Sequence, residues 1–202
     1  KQGMRHGIDI IYHASFTDNE ALDLLEANKD KIFVAPGLSV IFKLLYEGAA
    51  YGIPPAKARE MGYEEELAAA TESMKAMHKR GVRVLPGGDY GFAWAPHGTN
   101  ATDLQYFVKH CGMTAMEALI SATRYGGQIM LMGNELGEVK EGYLADLLLV
   151  DGDPLADLSI LLDKTRLLAI MKDGVFHKAP EIAASRSTRS PYVSPSVSPV
   201  AA

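Results

Sequence analysis

The chain has 202 residues, 48% hydrophobic and 22% charged, with a formal net charge of −5, an ordinary balance for one folded domain with a small appendage. An acidic chain of pI about 5.7 carries no electrostatic footprint for nucleic acid. Its one cysteine, Cys111, excludes an internal disulfide and sits among helical residues as a small apolar side chain, and no apolar run approaches the roughly 18 residues that cross a membrane.

The opening KQGMRHGIDIIYH has neither an initiator Met nor a signal-peptide pattern, and reads as a helix already under way that leads into a strand. The expectation is an internal starting point, with the cytoplasm as the expected compartment and an upstream targeting segment left open. IDIIYHAS (8–15) is a short β-branched run and a buried strand. Thr17 and Glu20 have the spacing of a capping box, and a helix follows to about Asn28 with Ala21, Leu22, Leu24 and Leu25 on its apolar face. IFVAPGLSV (32–40) is the second strand, ended by Pro36 and Gly37. After an irregular stretch, a long helix from about Pro55 to Arg80 repeats Leu67, Ala70, Met74 and Met77 at helical spacing and closes on Gly81. Val82 to Leu85 is the third strand.

A helix from about Asn100, which reads as its N-cap, carries Leu104, Phe107, Val108 and Cys111 at i, i+3, i+4 and i+7. Thr114 and Glu117 give a second capping-box spacing for a helix to about Met132. The alternation of strand and helix predicts an α/β fold with a parallel sheet over residues 1–133. Past Gly133, EVKEGYLADLLLVDGDPL and LLAIMKDGVFHK read as β-strands with Lys-Glu-Gly and Lys-Asp-Gly turns, a small β appendage over 134–178. The Ser/Pro-rich tail, 179–202, has little to bury and is expected to be disordered.

Functional residues of parallel α/β folds gather at the carboxyl ends of strands. His13 ends the first strand, and Asp89, in VLPGGDYG, follows the third. Both residue types bind divalent metals and handle protons. His13 also reads as an ordinary strand-end imidazole, and Asp89 as a turn residue after Gly-Gly. Their matched positions on alternate strands favour the functional reading. His97, in WAPHGTNATDL, is a rim residue for substrate or a simple loop histidine. Tyr46, Tyr51, Phe92 and Trp94 fall in the two longest loops, as a pocket wall or as packing. His6, His78, His110 and His177 read as structural or surface residues.

Three stretches together resemble the C-terminal half of the amidohydrolase superfamily, most closely its imidazolonepropionase-like and Xaa-Pro dipeptidase-like branch. GIDIIYHASFTDNEALDLL resembles the sixth barrel strand with its metal-binding His. The run from GVRVLPGGDYG to PHGTNATDLQYFVKHCGMTAMEALISAT resembles strand eight with its catalytic Asp and the helices that follow. LGEVKEGYLADLLLVDGDPL is similar to the segment that returns the chain to a small β-sandwich. The likeness covers about residues 1–178.

The resemblance implies strands six to eight of a TIM (β/α)8 barrel plus part of a β-sandwich. It further implies a metal-dependent hydrolase of amide or peptide C–N bonds that uses one or two divalent ions, zinc foremost. His13 corresponds to the strand-six ligand, and Asp89 to the strand-eight Asp, ligand and proton shuttle at once. His97 aligns with a loop His near substrate. Substrates of the branch are small amides, peptides and carbamate-like molecules. The His-x-His pair, the strand-four carboxylated Lys or Glu and the strand-five His of such enzymes have no counterpart here, and a TIM barrel takes about 250 residues. The chain is therefore expected to be completed by a missing N-terminal half or a partner chain, forming a homo-oligomer when complete. The competing expectation is a catalytically silent fragment or assembly subunit. A nucleotide-binding protein ranks third, because PGGDYG is not G-x-G-x-x-G and no helix begins directly after it.

Overall fold

The computed structural model describes residues 1–87 and 89–180; Gly88 and residues 181–202, nearly all of the Ser/Pro-rich tail, lie outside the described residues. A short helix α1 (Gln2–Arg5) leads into β1 (Ile10–Tyr12), and α2 (Asn19–Ala27) returns the chain to β2 (Phe33–Ala35). Three helices, α3 (Leu38–Glu47), α4 (Pro55–Glu60) and α5 (Tyr63–Lys79), then connect β2 to β3 (Arg83–Val84). The strands form a parallel sheet in chain order β1-β2-β3, with Ile10 beside Phe33 and Phe33 beside Arg83. The ladder continues past the strand ends, since the His13 N–H donates to Ala35 O at 2.9 Å and the Leu85 N–H to Val34 O at 3.1 Å.

Central β2 is buried along its length, as a parallel strand covered on both faces must be. Val34 packs into one cluster with Leu38, Leu45, Met74, Met77 and Phe107, each at most 1% exposed. The other face carries Phe33, with the Arg83 guanidinium 3.8 Å above its ring. Beyond β3 come α6 (Thr102–Cys111), α7 (Ala115–Ala122) and α8 (Arg124–Ile129). Cys111 is 1% exposed, and burial pushes its thiol up to about 12, so it packs as a neutral apolar group. An antiparallel sheet follows, β4 (Leu147–Val150), β5 (Leu167–Lys172) and β6 (Val175–Lys178), in the order β4-β5-β6. Among the described residues no helix is long and apolar enough to cross a membrane.

Several local expectations need correction. The second strand stops at Ala35 rather than Val40, because Gly37 turns the chain with φ 67° and α3 starts at once. Leu38, Ile41, Phe42 and Leu45, buried at i, i+3, i+4 and i+7, are a helical stripe inside the stretch expected to be irregular. The helix over 55–80 is two helices, broken at Gly62, whose φ of 85° no helix interior holds. That over 114–132 breaks at Thr123. The first cap is Asp18, which accepts from the Ala21 N–H; Thr17 instead donates its hydroxyl to Ala14 O. Asn100 is not the cap of α6, which starts after Ala101; its side-chain oxygen accepts the Gly98 N–H within the loop. The Thr114–Glu117 capping box forms in both directions, at 2.7 Å and 3.2 Å.

Candidate active site

The parallel sheet brings His13 and Asp89 together. His13 leaves β1 and Asp89 lies five residues beyond Val84, the last residue of β3. His13 Nε2 stands 3.5 Å from Asp89 Oδ2. Both backbones are left-handed, His13 at φ 65° and Asp89 at φ 37°, as is Ala14 at φ 57°. Non-glycine residues seldom adopt this region, and where they do the surroundings must hold them there. Gly87 is one such constraint: a Cβ on it would meet the Ala35 Cβ at 2.8 Å, so only glycine lets the Asp89 loop lie against β2.

Each side chain of the pair is about half exposed, 46% for His13 and 43% for Asp89. Two donors at about 2.1 Å from one ion in tetrahedral geometry sit about 3.4 Å apart, so the observed spacing suits one nitrogen and one oxygen ligand of a divalent cation. Among the described residues no group of three or more His, Cys, Asp or Glu side chains could hold a metal, and His13 and Asp89 meet there as a pair. His97 forms neither a hydrogen bond nor an ion pair with this couple among the described residues. Its ring lies against Gly91, where a Cβ would come within 3.1 Å of Nε2. The loop between them folds tightly, with the Gly91 N–H donating to Ala95 O and the Ala95 N–H to Phe92 O. Phe92 stacks on Trp94 with centroids 4.9 Å apart, and Tyr51 tilts against Trp94 at 6.2 Å, so two of the aromatic-rich loops meet.

One cluster beside the pair escaped sequence reading. Asp103 is 1% exposed and accepts the Ser39 N–H at 3.0 Å and the Ser39 hydroxyl on the same oxygen. Tyr90, next to Asp89, donates its hydroxyl to Ser39 Oγ at 3.1 Å and lies 3.2 Å from Asn100 O. Burial pushes the Asp103 carboxyl up, opposed by the Ser39 hydrogen bonds. Burial, followed by the nearby Asp103 charge, likewise raises the Tyr90 hydroxyl. A signal existed: Asp103, Phe107 and Cys111 recur every four residues, which puts an acid on the buried stripe of α6.

The sequence pattern of the amidohydrolase family matches residues 5–176. The chain belongs to the amidohydrolase family. Among its relatives is the ochratoxinase of Aspergillus niger, 27% identical over 199 residues that cover 94% of this chain and 38% of that enzyme. The crystal structure of A. niger ochratoxinase superposes with a TM-score of 0.73 at 25% identity, over 94% of this chain and 42% of that one. A Xaa-Pro dipeptidase with methionine bound in its active site gives a TM-score of 0.74 at 28% identity, over 88% and 42%. A prolidase complexed with N-methylphosphonate-L-proline gives 0.75 at 27%, again over 88% and 42%. The chain thus spans about two fifths of the length of these relatives.

Proposed function

We propose that this chain is the C-terminal barrel segment of a metal-dependent amidohydrolase that cleaves an amide or peptide C–N bond, with His13 and Asp89 as its share of the active site. The observation that carries the reading is the 3.5 Å approach of the two side chains at the carboxyl ends of parallel strands in a member of this family. In this reading β1, β2 and β3 are strands six, seven and eight of a (β/α)8 barrel formed by residues 1–133. Residues 134–178, with β4 to β6, are the chain's part of a β-sandwich. The remaining barrel strands and ligands come from a segment or partner chain outside these 202 residues, and the completed enzyme assembles as a homo-oligomer.

His13 would hold a divalent ion through its imidazole and Asp89 through its carboxylate, a donor pair suited to zinc. When bound, such an ion supplies Lewis-acid polarisation of the scissile carbonyl and acidifies water. Asp89 takes one proton from the attacking water as the C–O bond forms, and delivers it to the leaving nitrogen as the C–N bond breaks. His97, beside the Asp89 loop, contacts substrate from the rim. The proposed substrates are small amides, peptides and carbamate-like molecules; a Xaa-Pro dipeptidase and a prolidase among the relatives support the peptide part of that class.

Asp89→Asn in the complete enzyme should lower turnover of an Xaa-Pro and N-acyl amino acid panel by about 10²–10⁴-fold, the usual worth of a positioned acid–base group. The melting temperature should stay put; full activity would refute the role. Because only two donors converge among the described residues, a catalytically silent assembly subunit is the competing reading. Metal analysis separates the two. The enzyme reading requires at least one ion per complete unit and its loss in His13→Ala, and an ion-free, inactive protein supports the silent one.

A further inference from the structure

Asp89 stands where the sheet no longer determines the backbone. The last bond of the β2–β3 ladder is made by the Leu85 N–H, and the chain then reaches Asp89 in a left-handed conformation. A proton shuttle displaced by about 1 Å can lose some 10²-fold in rate, so something beyond the strand has to hold this loop.

Helix α3 grips it at both ends. On the near side the Gly37 N–H donates to Gly87 O at 2.7 Å, and Tyr90 donates its hydroxyl to Ser39 Oγ at 3.1 Å. On the far side the largely buried Lys43 donates from Nζ to Thr99 Oγ1 at 3.1 Å, and Thr99 donates in turn to Pro96 O at 2.8 Å. The near-side chain is continuous through Ser39, whose hydroxyl donates to Asp103 and accepts from the Tyr90 hydroxyl. Asp103 also serves as a side-chain cap for α3, through the Ser39 N–H. An exposed Asp would cap equally well, whereas this one is almost fully buried, at the cost of desolvating a carboxyl group. Burial at that expense makes sense if the acid organises a hydroxyl relay as well as a helix end.

We infer that Asp103, Ser39 and Tyr90 form a positioning network that fixes the Asp89 carboxylate, with the Tyr90 hydroxyl as the link that reaches the site. The inference rests on the reading of Asp89 as the proton shuttle. Tyr90→Phe isolates it, because the substitution keeps the ring and leaves the Ser39–Asp103 cap intact.

The test combines turnover of the Xaa-Pro and N-acyl amino acid panel by the complete enzyme with hydrogen exchange of the Gly91 and Ala95 amides in the same protein. Tyr90→Phe should lower kcat roughly tenfold or more while KM and the melting temperature hold, and should speed exchange at both amides. Adding Ser39→Ala should slow turnover no further than the slower single variant, since both remove one relay. Unchanged exchange in Tyr90→Phe overturns the network whatever the activity. Faster exchange with full kcat, in an enzyme that Asp89→Asn inactivates, overturns the positioning role. If the wild type hydrolyses none of the panel, the functional reading fails on its own, and exchange alone decides whether the network holds the loop.

Discussion

The two sheets of this chain are finished to different degrees. In the parallel sheet the central strand is buried at every position, and helices bring Leu38, Met74 and Phe107 down onto Val34. In the antiparallel sheet Leu147, Leu148, Leu149, Val175 and Phe176 are between 39% and 65% exposed, and Ala169 is the sole buried residue of its strands. Both are built from similar apolar residues, so composition does not separate them. The difference is what lies on top: helices cover the first, while only an apolar cavity of about 430 Å³ lies between Leu148 and Val150 of β4 and the Leu104 and Leu119 side chains of α6 and α7. By strand alternation Leu147, Leu149 and Phe176 share one face and Leu148 and Val175 the other, so both faces carry exposed apolar side chains of the kind that another layer covers. The candidate active site belongs to the covered sheet, at whose strand ends two left-handed residues stand 3.5 Å apart.

The sharpest way to break this contrast is truncation of matched apolar residues. Phe107, fully buried, stacks its part of the core beneath β2, and Phe107→Ala should cost about 3–5 kcal/mol in urea unfolding through lost transfer energy and a cavity. Phe176→Ala on β6, where the residue is 51% exposed, should cost less than half as much. Equal losses at the two positions would mean that the antiparallel sheet is covered in solution.

A middle-sized effect lies at the start of α7. The capping box joins Thr114 and Glu117 through the Thr114 N–H at 2.7 Å and the Glu117 N–H at 3.2 Å. Thr114→Ala removes a partner for one orphan N–H and should cost about 1 kcal/mol, and Thr114→Ser should recover most of it. A fully stable Ala variant would show that α7 is held by its buried Ala118 and Ser121 contacts alone.

The same contrast governs what could be read from sequence. The three parallel strands were legible because β-branched runs such as IDII are bounded by turn residues, and the Thr114–Glu117 box because its chemistry is local. His13 and Asp89 were legible as strand-end residues, since strand ends are where parallel folds put their chemistry. Helix α3 was hidden because LSVIFKLLYE is apolar almost all round, which blurs its period against a buried strand. The meeting of Ser39, Tyr90 and Asp103 was out of reach for another reason. Their meeting spans up to 64 positions, and no local pattern reports which elements a parallel crossover brings side by side. Nor does a sequence announce left-handed backbone at His13 and Ala14, where tertiary constraint overrides preference.

Acid titration gives the smallest effect, and it separates the two regions by mechanism. Glu117, in the helical part, is held below the ordinary glutamate range first by the Thr114 N–H and then by the Thr114 hydroxyl. Asp146, beside the antiparallel sheet, is held below the ordinary aspartate range first by Lys172, 2.6 Å away, and then by the Asp173 N–H. A depressed folded-state pKa means that the unfolded chain binds more protons, so both carboxylates stabilise above the unfolded values of about 4. That contribution fades as pH falls through the folded values. Glu117→Gln and Asp146→Asn should each flatten the fall in melting temperature below about pH 4. Salt then tells them apart. The Asp146–Lys172 pair is an exposed ion pair that 1 M salt screens to a range of about 3 Å, so the difference between wild type and Asp146→Asn should shrink. The Glu117 effect is mainly hydrogen bonding within a helix cap, with His78 at 3.6 Å a lesser contributor, and should persist. If salt erases both differences alike, the cap at α7 is electrostatic in origin and the two regions answer acid by one mechanism.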